Sequence, residues 1–416
     1  MNIFERHESE VRSYSRRWPV VFGRATGSRL YAMDGTPYLD FFAGAGTLNY
    51  GHNNPLLKQV LISYLEEDGV THSLDMWTEA RADLLRTLEE KILGPRRLTY
   101  KVVFPGPAGA NAVEAALKLA RKATGRQWVG YFRNAFHGMT LGALSVSGNP
   151  AVRRGAGIPL SHCVELPYDD GHSADTADVE GLLAASAGGL DGTAAVIVET
   201  VQGEGGVNAA RAGWLQRVAA VCRRHGIVLI VDDIQMGCGR TGAFFSFEDA
   251  GIVPDIVCLS KSISGYGLPM ALTLIRPELD VWKPAEHNGT FRGFNLAFVT
   301  GAEAMRVYWS DDQLAISTRA KGQRVAADLE QIVAGYPDGG LSTRGRGLLQ
   351  GLVTGSGRMA DQISAAAFER GLLMETCGPD GEVVKLMPPL TVGDGDIDRA
   401  LEILDAAVKS AVTTLS

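Results

Sequence analysis

Six runs of apolar, β-prone residues recur through the middle of the chain: KVVF (101–104), WVGYF (128–132), AAVIVE (194–199), IVLIVDD (227–233), DIVCLS (255–260) and ALTLI (271–275). Near-continuous apolar runs of this length suit strands covered on both faces. Between them the period changes. GANAVEAALKLARKA (109–123) and AGWLQRVAAVCRRHG (212–226) carry apolar residues at helical spacing. This alternation predicts an α/β fold, a mostly parallel sheet with helices on both faces. After about residue 311 the pattern shifts. DDQLAISTRAKGQRVAADLEQIVAGY predicts a long amphipathic helix, RGLLQGLVTG, GLLMET and VVKLMPP predict three strands, and a helix near 396–412 closes the chain. Near the start, RLYAMDGTPYLDFF predicts a hairpin with Asp34-Gly35 in a type I′ turn. The expected organisation is an N-terminal segment over 1–50 packed with the small domain, a large domain over 51–311 and a smaller α+β domain over 312–416.

Composition narrows the function classes. A formal net charge of −7 gives no basic excess for nucleic acid. No apolar run approaches a membrane span, and the charged start MNIFERHESEVRSYSRRW lacks the apolar core of a secretory signal. The cysteines, Cys163, Cys222, Cys238, Cys258 and Cys377, are odd in number and form no CxxC pair. Neither a disulfide framework nor a metal site is expected, and a reducing, cytoplasmic compartment fits.

The stretch VLIVDDIQMGCGRTG (228–242) raises the chemical question, because an apolar strand there delivers Asp232 and Asp233 at its tip. A Walker-B strand has that form, but it requires a GxxxxGK[ST] loop, and the chain contains no Gly-Lys pair. GCGRTG (237–242) matches GxGxxG, yet the aromatic, turn-rich AFFSFEDAGIVPD that follows does not open the helix a dinucleotide site needs. A cofactor clamp accounts for more. Alternation sends the two carboxylates to opposite faces, and a buried carboxylate needs a positive partner such as a protonated pyridine nitrogen. The next apolar strand ends in Lys261 among serines and glycines, where a Schiff base to an aldehyde cofactor has room to form.

IVDDIQMGCGRTG together with CLSKSISGYGLPMA resembles the class-III, ω-amino-acid type pyridoxal-phosphate aminotransferases. The resemblance runs along nearly the whole chain through FFAGAGTLNYGHNNP, FPGPAGANAVEAALKLAR, AFHGMT, VETVQGEGGV, HNGTFRG and LMPPLT. It implies the fold-type I architecture, pyridoxal 5′-phosphate as cofactor, amino-acid and oxo-acid substrates, and a homo-oligomer, dimer or dimer of dimers, with active sites at the subunit interface. It also implies residue roles. Lys261 would form the Schiff base and shuttle the proton. Asp232 would keep the ring nitrogen protonated, and Gln235 would bond the ring hydroxyl. Phe136 would stack on the ring, with His137 as local support. Gly109 and Ala110 would hold the phosphate through backbone N–H groups, because Ala108 and Ala110 stand where relatives often carry hydroxyl residues. Thr290 would reach the phosphate from a partner subunit. Glu199, with the QGEGG segment (202–206), would gate an anion anchor at Lys385, a position where relatives commonly have arginine. Lysine is a point charge without arginine's fork. His52 and Ser73 read as structural supports or neighbours of the substrate entrance, and Asp233 as structural. The implied activity is exchange of an amine at a terminal carbon with glutamate and 2-oxoglutarate. A related ω-amino-acid donor, or an aminomutase using the same lysine, is the alternative.

Overall fold

The computed structural model describes residues 2–169 and 178–415. Its centre is a seven-stranded sheet, numbered here in chain order: β1 (Lys101–Val103), β2 (Trp128–Phe132), β3 (Cys163–Leu166), β4 (Thr193–Val198), β5 (Val228–Asp232), β6 (Ile256–Leu259) and β7 (Leu272–Ile275). The order across the sheet is β1-β7-β6-β5-β4-β2-β3. Only β7 runs antiparallel to its neighbours. All six apolar runs become strands of this sheet. The strand β3 carries no such run: its sequence CVEL is only partly buried, because it sits at the sheet edge.

Burial explains the apolar runs. Every residue of β4, β5 and β6 is buried. The helix α1 (Gly109–Thr124) lays Ala112, Val113, Ala116 and Ala120 against Ile230 and Ile256 on one face. On the other, α2 (Ala212–His225) packs Trp214, Leu215 and Val218 with Leu229 and Val231. Burying the valine, leucine and isoleucine side chains among these contributes roughly 1.5–3 kcal/mol each, so the middle of the sheet is the packed platform from which the site projects.

The C-terminal region matches its pattern in part. The long helix spans Gln313–Gly335 and the closing helix Asp394–Leu415. An antiparallel sheet joins Ser342–Arg346, Leu349–Val353, Val383–Leu386 and Glu375–Cys377, in that order. The GLLMET run is divided. Leu372–Leu373 pairs in parallel with Pro37–Asp40 of the N-terminal strands, while Glu375–Cys377 joins the C-terminal sheet. The helix Gly357–Glu369, capped by Ser356 on the Met359 N–H, had no place in the sequence expectation.

The N-terminal hairpin forms, but not through a type I′ turn. Ala32 N–H donates to Thr36 O and Gly35 N–H to Ala32 O, and only Gly35, at φ 89°, is left-handed within the turn. This is a three-residue loop closed by a left-handed glycine. The Asp34 carboxylate accepts the Thr36 N–H at 3.0 Å, which holds Asp34 on the ordinary side of φ.

Candidate active site

Asp232 is the last residue of β5, and its carboxylate is buried at the carboxyl edge of the sheet. Oδ2 lies 2.7 Å from His137 Nδ1, and Oδ1 accepts the Ile234 N–H at 3.1 Å. The outer nitrogen of this buried imidazole, Nε2, has no hydrogen-bond partner. Asp233 faces the other way, as alternation requires. It accepts the Ser246 N–H at 3.0 Å and the Ser246 hydroxyl, and burial pushes its pKa up to about 7 against those bonds.

Lys261 follows β6 at the start of a short turn, Lys261–Ser264. Its φ of 53° is left-handed, a strain on the order of 1 kcal/mol or more for a side-chain-bearing residue. The neighbouring serines hold that conformation: Ser260 Oγ donates to Met270 O at 2.8 Å and Ser262 Oγ to Gly46 O at 2.7 Å. Lys261 Nζ donates to Ala45 O at 2.8 Å. Burial lowers the ammonium's pKa; Glu204 opposes the shift, and the charge of Lys385 reinforces it. The acceptor belongs to an unusual segment. Ala43, Gly44, Ala45 and Gly46 all have positive φ, from 49° to 85°, so the chain makes a left-handed turn that aims the Ala45 carbonyl into the site. Asp40 fixes its entry by accepting the Phe42 and Ala43 N–H groups, and His52 Nε2 lies 2.6 Å from the second Asp40 oxygen.

Lys261 and Asp232 line one cleft. Phe136 and His137 form one wall, and Gly109 and Ala110, opening α1, close one end. First-turn N–H groups have no acceptor within their own helix and carry its positive dipole end, so this end suits an anion. Gly138, at φ 129°, keeps the approach open, since a Cβ there would lie 2.9 Å from Ala110 Cβ. A half-exposed aromatic wall, a carboxylate, an amine and a helix N-terminus therefore surround one space, and these groups fit pyridoxal phosphate.

The other end of the cleft carries charge. Glu204 accepts from Lys385 Nζ at 2.6 Å and from Gln235 Nε2 at 3.0 Å. Gln235 Nε2 also donates to Ala45 O, at 3.1 Å. The amide fits only because residue 203 is glycine: a Cβ there would come 1.8 Å from Gln235 Oε1. Lys385 is fully buried, and its second partner is Glu375, whose Oε1 lies 2.8 Å away across the strand pair. Burial alone would raise the Glu204 pKa, but Lys385 and Lys261 hold it down to about 2. Burial disfavours the Lys385 ammonium, and the two carboxylates more than offset it, so its pKa is raised.

The structure thus brings together Lys261, Asp232, Gln235, Phe136, His137, Gly109, Ala110 and Glu199. It separates two assignments. The carboxylate on Lys385 is Glu204, not Glu199. Glu199 instead accepts the Phe136 N–H at 3.0 Å, and burial followed by the nearby Asp232 charge raises its pKa. Both acids stand near one motif, and spacing alone did not say which one faces Lys385. Thr290 lies on the surface, away from the cleft lining of its own chain, with its carbonyl accepting from His72 Nε2 at 2.6 Å. Ser73 Oγ donates within the same region, to Asn295 Oδ1 at 3.3 Å. Sequence reasoning missed Glu375 and the Ala45 carbonyl. Only the strand register that sets Glu375 opposite Lys385 reveals the first. The arginine of GCGRTG is structural: Arg240 is buried and donates to Leu348 O, Pro388 O and Asn49 Oδ1. Among the described residues no cluster could hold a metal ion, and no helix is long and apolar enough to cross a membrane.

A seven-stranded α/β sheet with a strained lysine and a buried carboxylate facing one cleft defines a transaminase architecture. The ornithine aminotransferase of Toxoplasma gondii superposes with a TM-score of 0.86 at 28% identity, covering 99% of this chain and 94% of that one. An S-selective transaminase from an Arthrobacter species, at 22% identity and a TM-score of 0.88, shares the fold over 99% of this chain and 97% of its own. The family model for class-III aminotransferases matches residues 11–408, and the chain belongs to that pyridoxal-phosphate-dependent family. It is 59% identical, over 99% of its length and 95% of the relative's, to the diaminobutyrate–2-oxoglutarate transaminase of Nocardia farcinica. It is 56% identical to the protein so named from Halomonas elongata, over 98% of this chain and 99% of that one.

Proposed function

We propose that this aminotransferase exchanges the amino group between L-glutamate and L-aspartate 4-semialdehyde, giving 2-oxoglutarate and L-2,4-diaminobutyrate, as a step toward ectoine. The observation that carries the proposal is Glu204, a carboxylate standing between the cleft and the buried Lys385. A terminal-amine exchange with glutamate must accept two substrates whose unreacting ends differ in charge, and a carboxylate that can leave a cation provides two states of one anchor. The names of the relatives at 53–59% identity favour the same substrates.

When bound, pyridoxal phosphate supplies an aldehyde that condenses with amines and a cationic ring that draws electrons from the neighbouring carbon. Lys261 Nζ would hold that aldehyde between turnovers, then take and return the proton at the substrate carbon bearing the amine. Its lowered pKa makes the neutral amine accessible for that work. Asp232, oriented by His137, would hold the proton on the ring nitrogen. Phe136 would cover the ring face, and Gln235 would bond the ring hydroxyl. Gly109 and Ala110 would hold the phosphate through N–H groups, with Thr290 of a second copy completing the seat. A homodimer is therefore part of the proposal. Glu199, which accepts the Phe136 N–H, would hold that aromatic wall in place against the ring.

Two measurements test it. Borohydride reduction of the cofactor-loaded protein followed by peptide mapping is expected to label the peptide containing Lys261; label elsewhere overturns the site. Purified enzyme with 2,4-diaminobutyrate is expected to consume 2-oxoglutarate one for one, faster than with ornithine or 4-aminobutyrate. Turnover without 2-oxoglutarate would make it an aminomutase instead.

A further inference from the structure

A second cleft lies away from Lys261, where the chain after β5 meets the C-terminal sheet. The helix Gln313–Gly335 and the strand Ser342–Arg346 form its sides, and the buried Thr241 lies at its floor. Its rim is exposed and carries Arg319, Asp249 and Glu330. Gly347 brings the end of the strand down onto the turn. Its φ is 61°, a Cβ there would lie 2.5 Å from Thr241 Cα, and the next N–H, of Leu348, donates to Arg240 O at 3.0 Å. Arg346 and Thr241 therefore line one narrow space, although they are more than a hundred residues apart in the chain.

Two polar atoms of these residues have no partner. Thr241 is 2% exposed and its Oγ1 makes no hydrogen bond; Arg346 Nε is buried and equally unbonded. Bracing of the turn accounts for another part of Arg346: Nη2 donates to Thr200 Oγ1 at 3.1 Å and to Ser246 O at 2.6 Å. Both acceptors are neutral. Burial works against the charge of this guanidinium, and Asp249 and Asp233 attract it without forming a bond. At the rim, Arg319 reaches Asp249 only through a half-exposed contact of 3.3 Å, a kind of pair that holds little. A buried hydroxyl and a buried N–H left unbonded both work against folding, and the packing gives neither a use. What they share is that each can donate.

We propose that this cleft binds a compact oxyanion, a carboxylate or an inorganic phosphate, with Arg346 Nε and Thr241 Oγ1 donating to it from the floor and Arg319 supplying charge at the rim. Such an anion gives both orphaned donors an acceptor and gives Arg346 the counter-charge it lacks. Asp249 and Glu330 limit the negative charge that the rim accepts, which selects a small anion over a chain of phosphates. The site is separate from the reacting groups and does not depend on which amine the enzyme transfers. Its occupation would reinforce the chain after β5, because Arg346 also holds Ser246, and Ser246 in turn holds Asp233.

The test is calorimetric titration of cofactor-loaded protein, whose own phosphate seat is filled, with sodium phosphate and with sodium acetate at constant ionic strength. Thr241→Val removes the hydroxyl and keeps the shape. In anion-free buffer its thermal midpoint is expected to equal or exceed that of wild type, because the lost hydroxyl had no partner. Its affinity for the bound anion is expected to fall about tenfold, the scale of one hydrogen bond to a charged group, while Thr241→Ser keeps wild-type affinity. A fall with phosphate alone makes the seat one for phosphate, a fall with acetate alone makes it one for a carboxylate, and a fall with both makes it an unselective oxyanion seat. Equal affinities of wild type and Thr241→Val for both probes, or no binding of either probe, overturn the proposal. A lowered midpoint of anion-free Thr241→Val overturns it too, by showing that the hydroxyl is bonded within the fold. Should Thr241→Val not fold, the half-exposed Arg319 decides: weaker anion binding by Arg319→Gln supports the site, and unchanged binding overturns it.

Discussion

Asp232 and Asp233 are adjacent, both buried, and have almost nothing else in common. Asp232 looks into the cleft, holds His137 at 2.7 Å and keeps company with Lys261 and Phe136. Asp233 looks into the scaffold, where Ser246 satisfies both its oxygens. The difference comes from strand geometry, which rotates successive side chains to opposite faces. One short apolar strand can therefore place a reactive group and brace the turn that follows it. The lesson is that a pair of acids at a strand tip is not one site but two environments, and each can be removed without the other.

The sharpest way to break this contrast is to remove one carboxylate charge at a time. Asp232→Asn keeps the shape and loses the charge. Its kcat is expected to fall by about 10²–10³-fold, the scale seen when a preorganised electrostatic group is removed, while the thermal midpoint stays near wild type. A loss below tenfold in cofactor-saturated initial rates would mean that Asp232 is scaffold after all. Asp233→Ala should do the reverse. It strands the Ser246 donors and costs about 2 kcal/mol of stability by chemical denaturation, with kcat per bound cofactor close to wild type. A variant with native stability and lost turnover would erase the distinction.

The same contrast can be sharpened with pH. The folded-state pKa of Asp233, about 7, lies above its ordinary 3.8. The folded protein then holds more protons than the unfolded chain between those values, so Asp233 costs stability as pH rises from about 4 to 7. Asp233→Asn does not titrate in that window. The stability of wild type minus that of the variant should therefore decline across it, and a flat or rising difference would contradict the buried, hydrogen-bonded acid described here.

What the sequence disclosed follows the same division between local and distant causes. Strands β4, β5 and β6 were legible because burial on both faces makes their composition apolar without interruption. Lys261 and Asp232 were legible because each follows such a run. β3 was not, since an edge strand keeps polar residues such as Glu165. The substrate end was half legible. Lys385 stood in a motif, but its partners come from 181 residues and from one strand away, and no local pattern selects Glu204 over Glu199 or marks Glu375 at all. The turn at Asp34-Gly35 was misjudged because the dipeptide does not encode how the Asp34 side chain is used.

The smallest effect tests how the phosphate end is built. Ala108 occupies the cap position of α1 in an extended conformation and has no side-chain acceptor to offer. Its N–H already donates to Asn111 Oδ1 at 3.0 Å, so half of a reciprocal cap is in place. Ala108→Ser supplies the missing half, a hydroxyl for the N–H groups of the first turn, and should stabilise the protein by about 1 kcal/mol. Where that gain is felt discriminates between scaffold and site, as with the two aspartates. Ala108 is exposed and does not line the cleft, whereas Gly109 and Ala110 do. The gain is therefore expected to be equal in cofactor-free and cofactor-loaded protein, with cofactor affinity unchanged by titration. A gain confined to the loaded form would move the phosphate seat one residue toward the strand and make residue 108 part of it.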